Sequence, residues 1–264
     1  MSPSDFIYEK EHSISRITFN RPEKLNAFRN KSRRELSALL DDFAKDNHSK
    51  VLILTGAGRA FCAGADLSEL GKTDEAPFDE ARHRAELDGF QKITQQIIAL
   101  NKPVIAAING IAIGVGLEIA LACDIRIAAS NVHFAFTEVK RGLFQTNGMM
   151  YLLPRLIGFG RAIELMMTGR TVEAAEAAAI GLISHTVSES QLQEQATGMA
   201  TLLSEHAPVS LKLIKRIGWE SLDADLPTVM EMEVNGMLEC LKSEDMREGI
   251  AAFLEKRKPS FKGK

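Results

Sequence analysis

Cysteine is scarce in this 264-residue chain, which holds only Cys62, Cys123 and Cys240. The three lie far apart, are odd in number and form no Cys-x-x-Cys pair. That pattern argues against a disulfide framework and against a zinc site. The six histidines are scattered without metal-ligand spacing, so no metal is expected. No apolar stretch reaches about 18 residues free of charge, so no membrane-spanning helix is expected. The start, Met1-Ser-Pro-Ser-Asp5, is polar and lacks the features of a secretory leader. Basic blocks are missing too, apart from the short stretch Arg29 to Arg34 and the last ten residues. With a net charge of −3, nucleic acid is not an expected partner. There is no repeat at a fixed period and no low-complexity linker. A reduced, soluble, cytoplasmic protein is expected.

What is present is apolar residue in quantity. Hydrophobic residues make up 45% of the chain and charged residues 25%, enough for one large domain or a core with a small appendage. Ser13 to Asn20 alternates, with Ile14, Ile17 and Phe19 among polar residues, and reads as a strand ended by Arg21-Pro22. Leu36, Leu39, Leu40 and Phe43 fall at helical spacing, which predicts a helix over about Lys31 to Ala44. Val51 to Thr55 is a short continuous apolar run, the pattern of a buried strand. Gly71 to Glu80 is polar, contains Pro77 and reads as a mobile loop. A long helix is predicted over Arg82 to Leu100, then strands over Val104 to Ile108 and Ile125 to Ala129. This order favours an α/β sheet with crossover connections. Beyond about Val187 strand signals stop, and helices are predicted over Gln191 to Leu203, Pro208 to Gly218, Thr228 to Cys240 and Glu244 to Lys256. The chain therefore divides into an α/β core, residues 1–190, and a helical region, residues 191–264.

Two glutamates stand out. Glu118 lies in the apolar run Ile111 to Ala122, in what reads as the first turn of a buried helix. An unpaired buried charge costs several kcal/mol, so this carboxylate must be partnered, capped or functional. Glu138 follows twenty residues later, after a strand. Two carboxylates brought together in a dry pocket are a candidate acid–base pair.

Two glycine-rich turns accompany them. Gly114-Val-Gly116 invites a dinucleotide reading, but the fingerprint needs a glycine where Ile119 stands. Two readings remain: a packing turn, or a turn that presents a backbone N–H to a ligand oxygen at a helix start. In Arg59 to Leu67, small residues at Cys62, Ala63, Gly64 and Ala65 leave the backbone uncovered. A packing turn with Asp66 as N-cap is the plain reading there. The other is that both turns offer N–H donors to one oxyanion.

Several of these stretches carry a resemblance. Ala60 to Leu67, Lys102-Pro-Val-Ile-Ala-Ala-Ile-Asn-Gly110, Gly114 to Asp124, Leu153-Pro-Arg-Leu-Ile-Gly158, Thr168 to Leu182 and Phe253 to Lys258 resemble, in order, the crotonase (enoyl-CoA hydratase/isomerase) superfamily. The resemblance runs from Arg21-Pro-Glu-Lys-Leu-Asn-Ala27 to the last helix. It implies a spiral of repeated ββα units in two roughly perpendicular sheets, followed by a helical trimerisation region. It implies a homotrimer or hexamer acting on acyl-CoA thioesters without a cofactor, CoA being part of the substrate. By resemblance, the amides of Ala65 and Val115 hold the thioester oxygen, Glu118 activates water and Glu138 supplies the proton at Cα. CoA would run past Lys24, Ala27, Ala63, Asp66 and Leu67, with Phe253 and Lys256 reaching it from a neighbouring subunit.

The chain also departs from the family. Val115 stands where glycine is frequent. Gln145-Thr-Asn-Gly148 replaces a Pro-Gly-x-Gly-Gly type run. Phe144 and Met149-Met150 are bulky and read either as core packing or as walls of the acyl pocket, the second of which argues against a short crotonyl group. The leading function is a 2-enoyl-CoA hydratase. A Δ3,Δ2-enoyl-CoA isomerase would need mainly Glu138, and a dehydratase of a specialised acyl group would use both glutamates. An RNA-binding or catalytically dead crotonase fold is disfavoured by the two glutamates and the acidic balance.

Overall fold

The protein is described from a computed structural model covering residues 4–70 and 78–264. Of the loop expected over Gly71 to Glu80, residues 71–77 lie outside the described residues, as do residues 1–3 at the polar start, and Glu80 already begins a helix.

β1 (Phe6–Glu11) pairs antiparallel with β2 (Ile14–Phe19), whose buried Ser15, Ile17 and Phe19 alternate with half-exposed neighbours. α1 (Asn30–Lys45) buries Leu36, Leu40 and Phe43 along one face. β3 (Val51–Gly56) is buried at every residue but the last, as a parallel strand covered on both faces must be. Then come β4 (Ala60–Cys62), α2 (Leu67–Leu70) and α3 (Glu80–Ala99). β5 (Val104–Ile108), β6 (Ile111–Ile113) and α4 (Val115–Ala122) follow. β7 (Ile125–Ala129) and β8 (His133–Ala135) lead through a short 3-10 turn, Glu138–Arg141, to α5 (Met149–Ile157) and α6 (Phe159–Thr168). β9 (Thr171–Glu173), α7 (Ala174–Ala179) and β10 (His185–Val187) are the last strands and their helix. α8 (Leu192–Ser204), α9 (Pro208–Glu220), α10 (Leu226–Lys242) and α11 (Glu244–Glu255) complete the chain.

The strands form two sheets, one ordered β1-β2-β3-β5-β7-β10 and the other β4-β6-β8-β9. Pairing is parallel throughout except β1 with β2 and β8 with β9. Successive strands alternate between sheets: β3 then β4, β5 then β6, β7 then β8. Each pair is followed by helix. This is the ββα spiral that the resemblance implied. Its repeat escapes a fixed-period reading because the intervening helices differ in length and β4, β6 and β8 have three residues each.

α1 packs on α3 and α3 on α4, while α8 lies against β3, β5 and β7. One apolar core joins these layers. α9 is tied to that core by Lys215, whose ammonium donates to Asp124 Oδ2 at 2.9 Å, Ile97 O at 2.8 Å and Lys102 O at 3.2 Å. Farther along, apolar side chains turn outward: Ile214, Leu226, Met230, Val234, Met237, Phe253 and Leu254 are all exposed.

Candidate active site

The second sheet delivers two turns to one place. β4 runs out into Ala63 to Asp66, and β6 runs out through Gly114 into α4. The turns touch. A Cβ built on Gly116 would lie 2.3 Å from Cys62 O, and one on Gly64 would lie 3.2 Å from Ile113 O. Any larger residue at 116 would push the turns apart. Gly114 has φ +50°, and a Cβ there would meet Glu138 Oε1 at 2.9 Å.

Both turns leave an amide uncommitted. Ala65 forms a parallel bridge with Phe28, but the bonds of that bridge are Phe28 N to Gly64 O and Asp66 N to Phe28 O. The Ala65 N–H is left over. Val115 is the first residue of α4, where a helix has no internal acceptor for the N–H. Among the described residues neither amide donates to any acceptor.

Glu118 stands one turn further along α4, only 2% exposed. It is not bare. Its Oε1 accepts from the backbone N–H of Thr146 at 3.2 Å and of Asn147 at 3.1 Å, and its Oε2 accepts from Asn147 Nδ2. Burial pushes its pKa above the ordinary carboxylate value, and the charge of nearby Glu138 adds to this, while the Asn147 and Thr146 donors oppose it. Glu138 is different. Burial also raises its pKa, but its Oε2 is buried with no hydrogen-bond partner among the described residues. Gln145 is close enough to lower that pKa slightly, yet its Nε2 is also buried and unpartnered, so the two do not form a bond. Burial thus raises both carboxyl groups, but their hydrogen-bond partners differ. One is wrapped by three donors and the other is left short of them.

Residues 9–264 match the family described as Enoyl-CoA hydratase/isomerase. The chain belongs to this family. It is similar to the short-chain-enoyl-CoA hydratase of Clostridium acetobutylicum, with 38% identity covering 98% of this chain and 97% of that one. It is also similar to the crotonyl-CoA hydratase of Syntrophomonas wolfei, 35% identical over 99% of both. Among solved structures, an enoyl-CoA hydratase from Bacillus anthracis superposes with a TM-score of 0.94 at 35% identity, covering 99% of this chain and 100% of that one.

The other residues expected in this hydratase/isomerase site fall into two groups. Ala27, Ala63 and Asp66 are brought together: Ala63 N donates to Leu25 O at 3.0 Å, and Arg21 bridges Ala27 O to the Asp66 carboxylate. Lys24 and Leu67 flank this cluster and are exposed. The Asp66 carboxylate also caps the turn through Ser68, so the N-cap reading holds. Phe253 and Lys256 lie apart. α11 packs on α10, and among the described residues no hydrogen bond links either residue to this cluster. Phe253 is 82% exposed. Phe144 is 67% exposed, which removes core packing as its role, whereas Met149 is fully buried in the core.

Sequence reading missed Asn147, Thr146 and Arg21 as partners of site residues. Asn147 was visible only as a departure in the loop after Glu138. Among the described residues no cluster of His, Cys, Asp and Glu could hold a metal, and no helix is long and apolar enough to cross a membrane. A cleft of about 1320 Å³ runs between the β1–β2 hairpin, α8 and residues 258–261, and its lining includes neither Glu118 nor Glu138.

Proposed function

We propose that this chain is an enoyl-CoA hydratase that adds water reversibly across the 2,3-double bond of a 2-enoyl-CoA thioester. One observation carries the reading: two carboxylates with unequal partners lie in the same region as two turn amides, those of Ala65 and Val115, that have no acceptor among the described residues. Attack of water at Cβ builds negative charge on the thioester oxygen. The Ala65 and Val115 amides receive that charge, and preformed donors of this kind are worth roughly 3–4 kcal/mol each. The donors around Glu118 favour its ionised form, so it takes the proton from water. Glu138 lacks such donors, which favours its protonated form, so it delivers the proton to Cα. Environments that push two carboxyl groups apart in this way divide the roles of base and acid.

CoA runs past Lys24, Ala27, Ala63, Asp66 and Leu67. The Asp66 carboxylate is committed to Arg21 and Ser68, so its backbone makes the contact. Phe253 and Lys256 reach the nucleotide end of CoA from a neighbouring subunit of a homotrimer or hexamer. The exposed apolar side chains of α9, α10 and α11 support that assembly, with residues 191–264 as the oligomerising region. Phe144 shapes the acyl pocket, and Met149, fully buried in the core, acts on it only from behind. The enzyme needs no cofactor, and its unpaired cysteines fit a cytoplasmic location.

A second reading, a Δ3,Δ2-enoyl-CoA isomerase, is favoured by the Oε2 of Glu138, which has no partner among the described residues and could shuttle a proton alone, whereas a dehydratase of a specialised acyl-CoA would use both glutamates. The test is a set of enoyl-CoA thioesters of varied chain length and branching, followed by loss of the 2-enoyl absorbance. Hydration of at least one supports the reading. Conversion of 3-enoyl thioesters alone contradicts it.

A further inference from the structure

Asn147 is 3% exposed and meets Glu118 twice, through its backbone N–H on Oε1 and through its side-chain Nδ2 on Oε2. The second contact is the unusual one. Among the described residues, Oε2 has no other donor. Both faces of the Asn147 side-chain amide are assigned by their neighbours. Its Oδ1 accepts from the Thr146 hydroxyl at 3.2 Å, which turns Nδ2 toward the carboxylate. The loop itself is held from α3. Thr94 Oγ1 donates to Asn147 O at 3.0 Å, and Gln91 Nε2 donates to Thr146 O at 3.1 Å. This is a support with no slack, built around one oxygen atom.

We propose that the Asn147 side chain is a positioning residue that aims Glu118 and keeps it ionised, with Thr146 orienting Asn147 in turn. The proposal rests on the reading of Glu118 as the base. An ionised carboxylate accepts and cannot donate, so each donor on it favours the charged form. Burial and Glu138 both act the other way on Glu118. α4 packs against α3, β4, β6 and α5, from which Thr94 and Met149 are uncharged and burial pushes the Cys62 thiol up to about 12. Glu138, with Arg141 acting on it, is the charged group that opposes Glu118. Without the Asn147 amide, Oε2 would be a buried anionic oxygen with no partner among the described residues, and one of the donors that oppose the upward push of burial on Glu118 would be lost. The side chain at 147 therefore keeps the two carboxyl groups distinct.

The test is the pH dependence of kcat/KM for hydration, in the full-length protein, for Asn147→Ala, Thr146→Val and Glu118→Gln. A base must be ionised to act, so raising its pKa moves the acidic limb to higher pH. Hydrogen bonds to charged groups are worth about a factor of ten or more, so Asn147→Ala should move that limb up by about one pH unit and lower kcat about tenfold, with KM nearly unchanged. Thr146→Val should move the limb the same way by less, because the amide loses its orienting partner. An acidic limb that stays in place in folded Asn147→Ala overturns the proposal. If that variant does not fold, an unmoved limb in Thr146→Val overturns it instead. Glu118→Gln separates the two claims: hydration that survives it removes the base itself, whereas hydration that collapses while the limb never moves removes only the role of Asn147.

Discussion

Glutamine at position 118 keeps the size of the side chain and removes its charge. Its effect follows from the three donors that meet Glu118. The backbone N–H groups of Thr146 and Asn147 share Oε1, and Asn147 Nδ2 meets Oε2. A glutamine has one oxygen for these two positions. Its oxygen will keep the two backbone N–H groups, and its NH₂ will then face the Asn147 NH₂, donor against donor. The clash is relieved if the Asn147 amide turns over, because the Thr146 hydroxyl can donate or accept. A buried donor left unpaired costs about 1–3 kcal/mol, which sets the expected loss of stability. The loss of chemistry is larger. An acid–base group contributes about 10²–10⁴-fold, so hydration of a 2-enoyl-CoA should fall by at least that range. Moving a 3-enoyl double bond needs proton transfer at Cα and Cγ only, so any such side activity should fall much less. Glu138→Gln should damage both reactions. Both assays are run on both variants, with circular dichroism to confirm folding. Hydration near the wild-type rate in Glu118→Gln would refute the reasoning and leave Glu118 as a structural carboxylate at a helix start.

Other expectations rest on separate parts of the molecule. Lys215→Met leaves the Asp124 carboxylate and two carbonyl groups without their ammonium, so it should cost about 3–5 kcal/mol in urea unfolding, and Lys215→Met with Asp124→Asn should recover part of it; a loss under about 1 kcal/mol contradicts this. Lys256→Ala should raise KM for CoA thioesters more than it lowers kcat, because the contact is remote from the reacting carbons; a collapsed kcat at unchanged KM contradicts the assignment. Asp5 is buried, yet the Arg29 and Ser32 side chains hold its pKa below the ordinary value. Its stabilisation is therefore present at neutral pH and lost as pH falls below about 4, so the deficit of Asp5→Asn should be measurable by thermal unfolding at pH 7 and close in acid. Sedimentation at micromolar concentration should report a trimer or hexamer, and monomer alone would contradict the reading of the outward apolar faces of α9 to α11.

The long elements could be read from the sequence because their patterns span several turns or pleats. α1, with Leu36, Leu40 and Phe43 inward, and β3, apolar along its run, match their predicted spans within a residue or two. The three-residue strands β4, β6, β8 and β9 are too short to show a period, and it is these that bring the two turns together. Glu118 stood out because a carboxylate in an apolar run needs a reason, and Glu138 because it follows a strand twenty residues later as a possible partner. Their difference did not. It depends on which one the 146–147 backbone and the Asn147 amide approach, and a fold is needed to see that. Arg21 was invisible for the same reason, since its partners Ala27 O and Asp66 come from a backbone turn and from a residue 45 positions away.

Isotope transfer tests the central claim most directly. A 2-enoyl-CoA is turned over in water enriched in the heavy oxygen isotope, and the product is analysed by mass spectrometry. The account predicts one heavy oxygen, carried on C3 as the new hydroxyl, in wild type, and its near-complete loss in Glu118→Gln. A product with a shifted double bond and no heavy oxygen would contradict it.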